Sequence, residues 1–124
     1  MTHAKIYHNP RCSKSRQTLQ QLQDLGIDTQ IIEYLKTPPS KAALKHILTR
    51  LRSDARAIMR RQDALYQDSG LAREDLSQEQ LLDALVSNPA LLERPIVILD
   101  DEHAVIARSP EKVPALLAHI KAPA

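Results

Sequence analysis

The 124-residue sequence predicts one α/β domain, a mixed sheet carrying a helical insertion at about residues 40–93. Three observations lead there. The opening alternates a short strand, an amphipathic helix and a second strand; the middle is helical but repeatedly broken; the end holds an apolar strand, a turn, a returning strand and a last helix. A strand–helix–strand opening makes a parallel pair with a right-handed crossover. A strand–turn–strand ending makes an antiparallel hairpin, so the sheet is mixed. A chain of this length buries about two-thirds of its unfolded surface, enough for one core.

Each element has its own signal. Ala4-Lys5-Ile6-Tyr7 is a short strand that Asn9-Pro10 breaks into a loop. Leu19, Leu22 and Leu25 then mark a helix from about Ser13 to Leu25, stopped by Gly26. Residues 29–35 form the second strand, and Thr37-Pro38-Pro39 ends it. Ser40 suits the N-cap of a helix whose apolar face is Leu44, Ile47, Leu48 and Leu51. Ser53 or Asp54 caps a short segment through Ala55, Ile58 and Met59, closed by Arg60-Arg61, and Gly70 marks a turn. Ser77-Gln78-Glu79-Gln80 has capping-box spacing ahead of Leu81, Leu82, Leu85 and Val86, and Asn88-Pro89 ends that helix. Ile96-Val97-Ile98-Leu99 is apolar throughout, as in a strand buried on both faces. Asp100-Asp101-Glu102 turns the chain, Ala104–Ala107 returns, and Ser109-Pro110 predicts a helix start with Ser at the N-cap. Val113, Leu116, Leu117 and Ile120 give the last helix its apolar face.

Composition excludes several classes. The net charge of +2 is too small and too dispersed for a nucleic-acid-binding face. No apolar run approaches a membrane span, and the start of the chain lacks a signal peptide's apolar region, so a cytoplasmic protein is expected. The single cysteine rules out an internal disulfide and a multi-thiolate metal site. The five histidines show no metal-ligand spacing, and no bound cofactor or metal is expected.

That cysteine is the chemical centre. Tyr7-His8-Asn9-Pro10-Arg11-Cys12-Ser13-Lys14-Ser15-Arg16 surrounds it with a histidine, three cations and two hydroxyls, a setting wrong for a core residue. Cys12 falls where a strand passes into a helix N-terminus, whose free N–H groups and dipole favour an anion. Thiolate is the nucleophile, and such a position with cations nearby lowers a thiol from its ordinary pKa of about 8.5. His8, four residues upstream, is expected to tune Cys12 by hydrogen bonding or charge.

His8 through Arg16, followed by Thr18-Leu19, resembles the active-site signature of the glutaredoxin-dependent arsenate reductase family. The resemblance continues at Met59-Arg60, Arg94-Pro95-Ile96-Val97 and Arg108-Ser109-Pro110, covering nearly the whole chain. Better-known members carry Gly-Thr where Ser13-Lys14 stands, which places this chain nearer a less characterised branch. The resemblance implies a thioredoxin-like fold, Cys12 as the nucleophile, and Arg60, Arg94 and Arg108 as ligands of the oxyanion. Ser15 and Arg16 join the expected substrate-binding residues, with Arg61 open as an alternative to Arg60. It also implies a cis Pro95 facing the cysteine, arsenate as substrate, and glutathione with glutaredoxin as external reductant. Ser15 stands where a dithiol motif would have its second cysteine, so reduction must be completed by another thiol. Replacing a neighbour such as Arg56 or Arg61 is expected to do little to oxyanion binding. Two other readings stand beside this one: a monothiol oxidoreductase acting on disulfides, and a thiol-based regulator that binds RNA polymerase. A low-molecular-weight phosphatase-type loop needs an arginine six positions after its cysteine, and Thr18 stands there.

Overall fold

The computed structural model describes residues 3–121, with side chains described for residues 3–118. It divides into two compact units, one of Met1–Tyr34 with Arg94–Ala124 and one of Leu35–Glu93.

The first unit holds the sheet. Strand β1 (His3–His8) pairs in parallel with β2 (Asp28–Glu33) and antiparallel with β3 (Ile96–Leu99), and β3 pairs antiparallel with β4 (His103–Ile106). The order is β2-β1-β3-β4, a mixed sheet. Asp100 and Asp101 both take positive φ (53° and 59°), and Glu102 N–H donates to the Leu99 carbonyl at 3.1 Å. The two left-handed residues make a tight turn within a three-residue loop, since Leu99 pairs with His103, and Asp tolerates that conformation better than most side chains. Helix α1 (Ser13–Asp24) joins β1 to β2, and α5 (Lys112–Lys121) closes the unit. Ala4, Ile6, Val97 and Leu99 of the sheet pack with Leu22 of α1, Ala107 and Val113 of α5, and Leu19, Leu116 and Leu117 lie against them. Both helices therefore cover one face of the sheet. Tyr7, Ile96 and Ile98, which alternate with those residues, are buried as well.

Three elements differ from expectation, each for a local reason. Leu25 is the C-cap of α1 and 51% exposed; the buried face of the helix is Ser15, Thr18 and Leu22. Gly26 (φ 71°) ends the helix: its N–H donates to Gln23 and that of Ile27 to Leu22, satisfying the last carbonyls. Strand β2 stops at Glu33 instead of residue 35, because its partner β1 ends at His8, before Pro10 turns the chain. Helix α5 begins at Lys112, not at Ser109-Pro110. Pro114 explains this, since a proline is tolerated in the first turn of a helix and removes a hydrogen bond further in. The Pro110 carbonyl, which residue 114 would have bonded in a longer helix, instead accepts from Gln21 Nε2 at 2.8 Å. The side chain of Ile120 lies outside the described residues.

The second unit is helical. Helix α2 (Lys41–Leu51) starts at Ser40, whose hydroxyl accepts the Ala43 N–H. Asp54 caps a 3₁₀ turn at Ala55–Ile58, and Asp63 caps α3 (Ala64–Asp68), a helix too short to register in the sequence pattern. Helix α4 (Gln78–Ser87) carries the complete Ser77–Gln80 capping box. Leu44, Ile47 and Leu48 of α2 and Leu81, Leu82 and Leu85 of α4 are buried, whereas Val86 is exposed. Lys41 pairs with Glu79 and Asp83, and Lys45 with Glu79, linking α2 to α4. The Arg56 guanidinium donates to the Tyr66 hydroxyl and to the Leu71 and Arg73 carbonyls, holding the stretch after α3.

Candidate active site

Cys12 occupies the N-cap of α1, with extended backbone (φ −92°, ψ 122°) and its carbonyl accepting the Arg16 N–H at 3.0 Å. The loop before it is wound by Asn9. The Asn9 carbonyl accepts the Cys12 N–H at 3.0 Å, its Oδ1 accepts the Arg11 N–H at 3.0 Å, and its own N–H donates to Ser15 Oγ at 3.0 Å. Pro10 follows Asn9 in this tight turn, a position its fixed φ favours. Arg16 Nη1 donates to the Pro10 carbonyl at 2.8 Å and braces the same loop. The sequence marked Asn9 as a strand breaker; its threefold role depends on how the start of α1 folds back over the loop.

The thiol is half-exposed and accessible. Partial burial pushes its pKa up. The backbone N–H groups of Ser15 and Lys14, and then Arg94 by charge and by hydrogen bond, pull it down further, so the thiol lies below its ordinary value. The sulfur closes no strict cap hydrogen bond. The amides therefore act on it electrostatically, as they act on any anion held at a helix N-terminus.

Arg94 enters from β3. The Arg94–Pro95 peptide bond is cis, and the Pro95 carbonyl accepts the Ala107 N–H at 2.9 Å. The Nε of Arg94 is buried with no hydrogen-bond partner. Thr18 ties α1 to the adjacent strand, its hydroxyl lying 2.9 Å from the Lys14 carbonyl and 3.2 Å from the Ala107 carbonyl. Thr18 thus fixes the helix that presents Cys12 against the backbone that presents Arg94.

Behind the nucleophile sits a buried polar pair. His8 Nδ1 and Ser15 Oγ are 2.6 Å apart, and Ser15 is fully buried. Burial pushes the His8 pKa down, with Glu33, its register partner on β2, opposing and Arg16 assisting. His8 is accordingly neutral at pH 7. Ser15 Oγ also accepts the Asn9 N–H at 3.0 Å. The His8 hydrogen bond goes to Ser15, whose backbone N–H in turn faces the Cys12 sulfur.

The first unit thus gathers Cys12, His8, Ser15, Arg16, Arg94 and Pro95 into one locality, and Arg108 follows Ala107 at the end of β4. Arg60 belongs to the second unit, where its guanidinium pairs with Asp63 at 3.1 Å and its N–H donates to the Leu91 carbonyl. Arg61 is exposed. Among the described residues, no group of three or more His, Cys, Asp or Glu side chains could hold a metal ion, and no helix is long and apolar enough to cross a membrane.

Comparison with known proteins agrees with this geometry. Residues 7–116 match the ArsC family. The chain is 47% identical over 110 residues to the uncharacterized protein YfgD of Escherichia coli (strain K12), covering 88% of this chain and 92% of that one. It is 44% identical over 118 residues to an arsenate reductase of Neisseria meningitidis, covering 94% of this chain and 100% of the relative. The solved structure of an arsenate reductase from Vibrio cholerae superposes with a TM-score of 0.88 at 41% identity, over 93% of this chain and 98% of that one.

Proposed function

This chain belongs to the ArsC family, and from that membership and the setting of Cys12 we propose that it is an arsenate reductase. The observation that carries the reading is a thiol lowered by two helix-start amides and an arginine whose Nε is buried without a partner. A buried unpaired donor costs about 1–3 kcal/mol. An oxyanion held beside the sulfur meets the same guanidinium. A planar guanidinium suits such a ligand because its fork matches two oxygens.

The chemistry follows in balanced steps. The Cys12 thiolate attacks arsenic, an S–As bond forms, and one arsenate oxygen leaves as water once protonated. An external thiolate then attacks the Cys12 sulfur. The S–As electron pair passes to arsenic, which leaves as arsenite in the +3 state, and a mixed disulfide remains on Cys12. A second external thiol exchanges with it and restores Cys12. In sum, arsenate and two thiols give arsenite, one disulfide and water. No second cysteine exists to do this internally, and glutathione with glutaredoxin is the reductant the family resemblance supplies. Lys14 and Ser15 contribute backbone N–H groups, and Arg16 contributes charge while bracing Pro10. The resemblance assigns Arg108 and Arg60 to the same oxyanion.

Arsenate-dependent turnover with glutathione and glutaredoxin supplied together tests the proposal, with Cys12→Ser as the blank. Wild-type turnover no greater than the blank rejects it. Protection of Cys12 from alkylation by arsenate, sulfate or phosphate separates it from a monothiol disulfide reductase, for which oxyanions give no protection.

A further inference from the structure

We propose that Thr18 is a positioning residue for the reaction: its single hydroxyl fixes the helix that carries Cys12 against the backbone that carries both Arg94 and Arg108. The inference rests on the arsenate-reductase reading for its anion, and on geometry alone for its effect on the thiol.

The contacts run in a row through the first unit. Cys12 is the N-cap of α1, and Lys14 lies in the first turn of that helix. Thr18 Oγ1 stands 2.9 Å from the Lys14 carbonyl and 3.2 Å from the Ala107 carbonyl. The Ala107 N–H donates to the Pro95 carbonyl at 2.9 Å, and Pro95 directly follows Arg94. The Ala107 carbonyl also belongs to the peptide group that supplies the N–H of Arg108, and that N–H donates to the Ile106 carbonyl at 3.1 Å. Thr18 is therefore the link between the first turn of α1 and the chain that bears each arginine.

The helix itself does not require this hydroxyl. A carbonyl inside an α-helix takes its bond from the N–H four residues on, which for Lys14 is that of Thr18. What the side chain adds is the contact to Ala107. Thr18 and Ala107 are 5% and 1% exposed, so water does not replace that contact when it is lost. Alignment matters at the other end of the row. Arg94 acts on the Cys12 sulfur by charge and by hydrogen bond. A hydrogen bond weakens steeply with misalignment, whereas a charge–charge interaction falls off slowly with distance. A small shift of α1 against Ala107 therefore removes the directional contact first.

The test compares wild type, Thr18→Val and Thr18→Ser. Valine keeps the shape without the hydroxyl, and serine keeps the hydroxyl. Iodoacetamide alkylation against pH reads the thiol midpoint, and arsenate protection of Cys12 reads anion affinity. Thr18→Val is expected to raise the midpoint by about half a unit, about a threefold loss of thiolate at lower pH. Arsenate protection should weaken about tenfold in the same variant, and Thr18→Ser should restore both. In an Arg94→Ala background, Thr18→Val should leave the midpoint where Arg94→Ala puts it, because the contact it aligns is already gone. A Thr18→Val protein that is less stable to denaturant but keeps the wild-type thiol midpoint and protection overturns the proposal, since a merely structural hydroxyl behaves that way. Equal effects of serine and valine overturn it too, as does a double variant whose midpoint is the sum of the two single shifts. Wild-type protein that arsenate does not protect overturns the arsenate-reductase reading instead, while the thiol midpoints still decide the role of Thr18.

Discussion

Replacing Arg94 separates the two things its guanidinium does. It lowers the Cys12 thiol by charge and hydrogen bond, and its fork suits an oxyanion. A unit charge about 4 Å from another is worth about 1 kcal/mol in water and about 4 kcal/mol near a protein surface. Cys12 is half-exposed, so solvent screens the pair toward the lower figure. About 1.4 kcal/mol is one pKa unit. Arg94→Ala is therefore expected to raise the midpoint of the iodoacetamide rate–pH profile by about one unit. Arg94→Lys restores the charge without the planar fork, so it should recover most of the midpoint. Anion affinity, read as arsenate protection of Cys12 from alkylation, should stay about ten- to hundredfold weaker in both variants. An unchanged midpoint in Arg94→Ala refutes the electrostatic role. Full recovery of arsenate protection by Arg94→Lys refutes the bidentate one.

Three further outcomes follow from the same contacts. His8 should titrate below about 6.5, read from imidazole nitrogen shifts. Because burial lowers the folded value, the unfolded chain binds the extra proton first, and His8 should contribute a loss of stability as pH falls below about 6.5; a midpoint at or above 6.5 contradicts this. Thr18→Val keeps the shape but strips the hydroxyl shared by the Lys14 and Ala107 carbonyls, and should cost about 1–3 kcal/mol in denaturant unfolding; a loss under about 0.5 kcal/mol would show that the clamp is not a stabilising contact. Ser77→Ala removes half of the α4 capping box and should cost about 1 kcal/mol, against no measurable cost for Arg61→Ala.

Local signals in the sequence were legible and distant ones were not. Ser40 and Ser77 announce their helices because a cap bonds within three residues of itself. Ile96–Leu99 announces a buried strand because no polar residue interrupts it. Cys12 stood out because every flanking residue was polar or charged. Thr18 was silent because one of its acceptors lies 89 residues away in the sequence. The structural role of Arg56 was silent because its partners are a tyrosine and two carbonyls 10 to 17 residues downstream, set by a turn the sequence did not specify. The start of α5 was misread because Ser109-Pro110 is a strong local signal, and Pro114, four residues on, overrides it.

The hydroxyl of Ser15 carries a consequence for how this chain could change. It sits where a dithiol enzyme keeps its second cysteine, yet it is fully buried, accepting from the Asn9 N–H and hydrogen-bonded to His8 Nδ1. A thiol is a poor donor and a poor acceptor. Ser15→Cys would therefore loosen the loop that presents Cys12 and leave His8 Nδ1 and the Asn9 N–H underbonded, while placing the new sulfur in the interior. Reliance on a borrowed electron donor is thus written into the packing behind the nucleophile, and no single substitution at that position frees the enzyme from it.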